Sequence, residues 1–223
     1  MSSVLIQTTF EAHQPIIGRY ARSSPKAMGN VFQFVIATVQ QALVTVPTIL
    51  ESFQQDGRGS VYAFGFKRDA LDWLEENQES LYKQSLNIYD GYANPEDASA
   101  ELLFYFAGLP GLGLVKGGFM AQLAFGVGGC LDTHNIKRFG LNPARFKACR
   151  FKDARTASTK NKIVSEYLDY CRQSGGCALL WAEWCDYVAT NQPKVYPGAA
   201  AVSALHVESL KKIDPKCNLL TSC

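Results

Sequence analysis

Apolar side chains in this sequence recur mostly every third or fourth position and seldom alternate. The clearest run is Phe32, Val35, Ile36, Val39, Leu43 and Val46. It predicts a helix from Val31 that Pro47 interrupts, and a second helix toward Ser52. The polar, glycine-bearing residues 54–60 predict a turn. Residues 61–66 read as a short strand or a loop, with Tyr62, Phe64 and Phe66 as candidate pocket aromatics. Leu71, Leu74 and Leu81 share one face of a helix over residues 68–82. Asn94, Pro95, Glu96 and Asp97 form a helix start: Asn caps, Pro takes the first helical position, and two acids meet the positive end of the dipole. That helix carries Leu102, Leu103 and Phe106 and stops at Gly108; another begins at about Leu114. Three more are expected: one from residues 158–160 to the Ser174, Gly175, Gly176 stop, one carrying Leu180, Trp181, Trp184 and Val188 and ending near Pro193, and one over residues 199–212. Residues 1–27 show no clean period. The expected class is all-α, with residues 1–223 as a single helical domain.

Composition narrows this further. With 47% apolar and 19% charged residues, the chain has globular rather than disordered chemistry. The longest weakly charged stretches, residues 31–50 and 117–131, are broken by Gln, Pro or Gly, so no bilayer span and no membrane partner is expected. The N-terminal residues lack a basic segment followed by an apolar run, which argues against a secretory signal. Seven cysteines, Cys130, Cys149, Cys171, Cys177, Cys185, Cys217 and Cys223, contain no C-x-x-C pair, as expected of reduced thiols in a cytoplasmic protein. The spacing of Cys171, Cys177 and Cys185 fits neither a zinc ribbon nor a ferredoxin run, so no metal and no other cofactor is expected.

The formal net charge is only +2, but it is unevenly spread. Residues 69–101 hold nine acids and one base; residues 137–162 hold nine bases and one acid. Phe139, Phe146 and Phe151 interleave with the bases, among them Lys137, Arg138, Arg145, Lys147, Arg150 and Lys152. This is a candidate polyanion face, or else a solvated surface with no partner.

The most informative segment is residues 106–141. A helix ends, Leu109, Pro110, Gly111, Leu112 and Gly113 make a tight hairpin, and a second helix begins. Glycines let backbone N–H groups approach a phosphate closely, and the second helix turns its positive end to the same anion. Downstream stand Ala124, Phe125, Gly126 and then Leu131, Asp132, Thr133, His134. This succession resembles the helix-hairpin-helix DNA glycosylase superfamily of the endonuclease III and alkyladenine glycosylase type. It is also similar to glycosylase-like proteins of bacteriophages, including a group implicated in thymine hypermodification. The close resemblance covers about 35 residues of the chain.

The resemblance implies a two-lobed helical fold with its helix-hairpin-helix core at residues 94–141 and a basic and C-terminal helical part at 142–223. It implies double-stranded DNA as partner, gripped by Leu109, Gly111, Gly113 and Lys116 of the hairpin and by the basic residues. Asp132 falls on the family's essential aspartate, which stabilises positive charge on the sugar of a flipped nucleotide and activates water. The same residue also reads as an ordinary N-cap, and the two roles are compatible. Thr133 and His134 match the motif as structural residues. The lysine of lyase-competent members falls on Val115; Lys116 is about 100° further round the helix and is expected to face a phosphate instead. The resemblance thus implies a monofunctional enzyme without an iron–sulfur cluster. Trp181 and Trp184 read as core residues or as a stacking surface for an extruded base. Three functions stay open: a glycosylase-like enzyme, with a thymine-hypermodification transferase as its variant; a non-catalytic DNA-binding protein, in the infected cell or packaged in a virion; and a structural protein with the fold alone.

Overall fold

Proline and threonine shape the N-terminal third. In the computed structural model, which describes residues 2–55 and 65–220, the aperiodic start of the chain is helical. Helix α1 (Ser2–Ile6), a π-helical turn (Gln7–Glu11) and α2 (Ala12–Ala21) succeed one another without a break. Pro15 lies inside α2, and its ring would crowd the Glu11 carbonyl in a regular α-turn. The wider turn just before it relieves that contact. Thr8 and Thr9 donate to the carbonyls of Val4 and Leu5, which bends a helix in the same way. A 3.6-residue pattern therefore cannot register here.

Ser24 caps α3 (Pro25–Ala37) by accepting from the Ala27 N–H, with Pro25 at the first position. The helix ends earlier than expected. Thr38 donates its hydroxyl to the Val35 carbonyl at 2.6 Å, and Gln40 takes a left-handed conformation with φ of 56°. Residues 38–45 leave the helix there, despite the apolar spacing through Val46. After a short 3-10 turn, α4 (Val46–Gln55) carries Pro47 in its first turn. Gln54 and Gln55 are thus helical, and the rest of the expected 54–60 turn lies outside the described residues. So does 61–64 of the expected strand or loop; Phe66 lies in the first turn of α5 (Gly65–Asp90), which is longer at both ends than the pattern implied.

Asn94 caps as expected, but Pro95–Ala98 form a 3-10 turn before α6 (Ser99–Gly108). Then come α7 (Leu114–Phe125), α8 (Thr133–Arg138), α9 (Ala148–Lys152), α10 (Ala157–Gln173), α11 (Gly176–Asn191) and α12 (Ala199–Ile213). Among the described residues there is no strand, and the class is all-α.

Two buried apolar clusters meet along α6 and α7. Leu102 and Phe106 enter the larger one, with α2, α3, α11 and α12; Leu103, Ala107 and Leu114 enter the smaller one, with α10. The two helices come unusually close because Gly117 has no side chain: a Cβ there would stand 2.8 Å from the Ala107 backbone nitrogen. The turn between them is closed by the Leu112 N–H on the Leu109 carbonyl at 3.2 Å. Pro110 and then Gly111, at φ of 74°, occupy its central positions, as a type II turn requires.

Candidate functional site

Three glycines with positive φ, Gly126, Gly128 and Gly129, lead from α7 to the site. Tyr167 of α10 fixes the loop between them and α8. Its hydroxyl donates to the Gly129 carbonyl at 3.0 Å and accepts from the Leu131 N–H at 2.9 Å. Asn135 holds the same loop from the other side, donating its amide to the carbonyls of Cys130 and Leu180. Asp132 is thereby set at the head of α8. Its Oδ1 accepts from the N–H groups of His134 and Asn135, each at 3.0 Å, and its Oδ2 accepts from the Trp184 indole at 2.9 Å. Three donors fix both oxygens of one carboxylate. Tyr167→Phe leaves the buried Leu131 N–H without its partner and the Gly129 carbonyl with only the Cys171 thiol, 3.9 Å away. A loss of about 1–3 kcal/mol in unfolding free energy is expected, read from the urea midpoint.

Asp132 stands on the wall of a cavity of about 340 Å³, within the range of small-molecule pockets. Lys116, Phe119, Gln122, Asn135, Trp181, Trp184 and His206 line it too. The rim includes the exposed Ala42 and Gln192; the inner wall includes the fully buried Leu180, Asn135 and His206. Gln40, the sole non-glycine residue with positive φ among those described, lies beside the lining residue Gln41. Strain of this kind gathers at functional sites.

Lys116 does not point away from this cavity. Helix α7 starts at Leu114, so Lys116 lies in its first turn and shares a face with Phe119 and Gln122, three and six positions on. Its ammonium donates to the Thr38 hydroxyl at 2.9 Å and lies 5.2 Å from the Phe119 ring centre. Lys116, expected to face a phosphate, thus stands at the cavity between the Thr38 hydroxyl and the Phe119 ring. The buried Lys67 is near enough to sense that charge: burial and then Lys116 push its pKa down to about 8.

The other expected DNA contacts divide between the interior and the surface. Leu109, one of the expected DNA contacts, is 7% exposed and packs in the larger cluster. Gly111 faces inward: a Cβ would stand 2.7 Å from Ala70 Cβ and from Ile36 Cδ1. The hairpin is thus seated on α3 and α5, and Gly113 is buried. Of the basic residues, Arg138 pairs with Glu183 at 2.7 Å, while Arg145 and Arg150 both grip Glu166, at 2.8 and 2.5 Å. Those hydrogen bonds, Arg150's first, hold the Glu166 carboxyl below the usual range. Lys137, Lys147 and Lys152 are exposed.

Compared with protein-family models, curated proteins and solved structures, the chain matches none.

The geometry of the chain itself therefore carries the chemistry. Trp181 is core and cavity wall together: it is 3% exposed, its ring is 4.6 Å from that of His206, and its indole donates to Ser203. Ser203 in turn donates to the Thr9 carbonyl, which ties the π-helical turn to α11 and α12. His134 stacks on Tyr187 at 4.8 Å. Burial pushes the Cys130 thiol up to about 12, and Cys171, Cys177 and Cys185 are raised by the same cause, which leaves them weakly reactive. Among the described residues, no three His, Cys, Asp or Glu side chains gather to hold a metal, and no helix is long and apolar enough to cross a membrane.

Two lining groups had no signal in the motif. Asn135 lies one residue beyond the Asp132–His134 motif, and His206 sits on the apolar face of α12. Burial holds the His206 imidazole neutral, with its pKa lowered from 6.5 to about 4; the charges of His13 and Lys116 act in the same sense. An unfolded chain takes up this proton below about 6.5, whereas the folded one resists until about 4. Stability is therefore full above 6.5 and falls as the pH drops through that window, by about 3 kcal/mol. Urea midpoints between pH 7 and pH 4 measure the slope, and His206→Phe is expected to flatten it.

Proposed function

We propose that this chain acts on DNA as a glycosylase-like protein, taking one base extruded from the stack into the cavity beside Asp132. The observation that carries the reading is the carboxylate itself. It is half-buried, fixed on both oxygens, and set on the wall of an aromatic-lined cavity of nucleobase scale. In the reaction the bond between the sugar C1′ and the base nitrogen breaks, and its electron pair leaves with the base, which takes up a proton. Positive charge develops on the sugar, where Asp132 stabilises it. A water oxygen then bonds to C1′ and gives up a proton, with Asp132 orienting it. Base extrusion costs a few kcal/mol of stacking and pairing, offset by stacking on Trp184 and by burial within the cavity.

The DNA-facing surface in this reading rests on Lys137, Lys147 and Lys152 more than on the arginines, which already hold carboxylates. Such contacts hold the duplex without reading its sequence. The test is base release. Wild type and Asp132→Asn are incubated with duplexes carrying a panel of damaged and modified bases, and free bases and altered nucleosides are read by mass spectrometry. A product made by the wild type alone supports the reading. No product from any DNA, with binding retained, transfers the protein to the binding-only class.

A further inference from the structure

Two residues that line the cavity each carry a buried polar atom with no hydrogen-bond partner: His206 at Nε2 and Asn135 at Oδ1. Each belongs to a side chain only 1% exposed. Their chemical sense is fixed by what the other end of each side chain does. His206 Nδ1 lies 3.0 Å from the Ser203 carbonyl, which only accepts, so Nδ1 carries the ring proton and Nε2 presents a lone pair. Burial keeps the imidazole neutral at ordinary pH. Asn135 uses its amide nitrogen on the carbonyls of Cys130 and Leu180, which fixes the flip of the side chain and leaves Oδ1 as the second acceptor. An unsatisfied buried acceptor is costly, and two among the residues that line one cavity are unusual in a native structure.

Resting on the base-extrusion reading above, we infer that His206 and Asn135 select the occupant of the cavity: a base that carries an exocyclic amino group. An amino nitrogen offers two N–H donors to two acceptors. A thymine- or uracil-type base offers one ring N–H between two carbonyls, and turns at least one carbonyl toward an acceptor of the protein. Such a base is rejected, as a missing or misplaced donor is wherever a site is built for hydrogen bonding. Phe34, Phe119, Trp181 and Trp184 ring His206, exclude water from it, and so keep the discrimination from being softened by solvent.

The test uses the intact wild-type protein and the fluorescence of its tryptophans, two of which line the cavity. Deoxyadenosine and deoxycytidine are titrated beside their analogues lacking the amino group, and beside thymidine. The amino-bearing nucleosides are expected to bind about tenfold or more tightly than their des-amino partners, and thymidine most weakly. His206→Phe, which keeps a ring in the aromatic cage, is expected to bring each pair to within about threefold. Equal binding of amino and des-amino nucleosides by the wild type, or preference for thymidine, overturns the donor inference and leaves the base reading standing. Failure of every nucleoside to bind overturns both.

Discussion

Asp132→Asn is expected to lower base release by about 10³-fold or more while leaving DNA affinity unchanged or raised. In the proposed mechanism the substitution removes the charge that would stabilise a sugar cation, and it removes one negative group from the face proposed to meet the phosphates. It changes the shape of the side chain little. The cap on α8 survives, because the amide oxygen still accepts from the His134 and Asn135 N–H groups. Where Oδ2 now meets the Trp184 indole, however, the amide presents its own N–H groups, so donor faces donor. A loss of about 1–2 kcal/mol in stability accompanies the change. Trp184→Phe separates the two effects: it keeps the charge and the cap but frees one oxygen to rotate. A fall of about tenfold in turnover, at nearly unchanged affinity, is expected. Single-turnover assays with saturating protein, run beside electrophoretic binding measurements, check both variants. Full activity of Asp132→Asn defeats the mechanism.

Gly117→Ala is the second large effect, and it acts through the backbone. Its Cβ would fall 2.8 Å from the Ala107 nitrogen, 3.1 Å from the Ala107 Cα and 3.2 Å from the Phe106 carbonyl carbon. None of these atoms belongs to a side chain that can swing aside, so α6 and α7 must separate. Overpacking of this kind costs about 3 kcal/mol, a large share of a typical domain's stability. Lys116 precedes Gly117 and moves with it, and a shift of about 1 Å at a site costs about 10²-fold in rate. Gly108→Ala, where nothing stands within 4 Å, is the control and is expected to stay within about 0.5 kcal/mol of wild type. Urea midpoints and turnover on the two variants read both effects.

The later helices were legible because local chemistry marks their ends. Thr156 caps α10, the Gly175 and Gly176 pair separates α10 from α11, and Asp214 with Pro215 closes α12, each within a few residues of the expected place. The first 45 residues were less legible because their boundaries rest on single side-chain bonds and on one proline. Thr38 capturing the Val35 carbonyl ends α3 against its own apolar spacing. Asp132 was visible as a cap and as a motif residue. The cavity was not, since it is assembled from segments near residues 38, 116, 132, 181 and 206. The place of Lys116 on the cavity wall was not visible in rotation counted from a family's hairpin, although Lys116, Phe119 and Gln122 stand three apart in the sequence. The basic run was counted correctly, but Glu166 and Glu183, which neutralise three of its arginines, come later in the chain.

The hydrogen bond from Ser203 to the Thr9 carbonyl joins positions 194 apart, and Tyr20 reaches Asp214 across the same interval. Contacts of such separation form late, because the loop must close before they return any stabilisation. Trp181 and His206 owe their positions to that closure. A nascent chain emerging from the ribosome therefore holds Asp132 and the hairpin helices well before it has a floor beneath them. Until α12 has been synthesised and docked on the π-helical turn, the cavity beside Asp132 lacks the wall that His206 supplies.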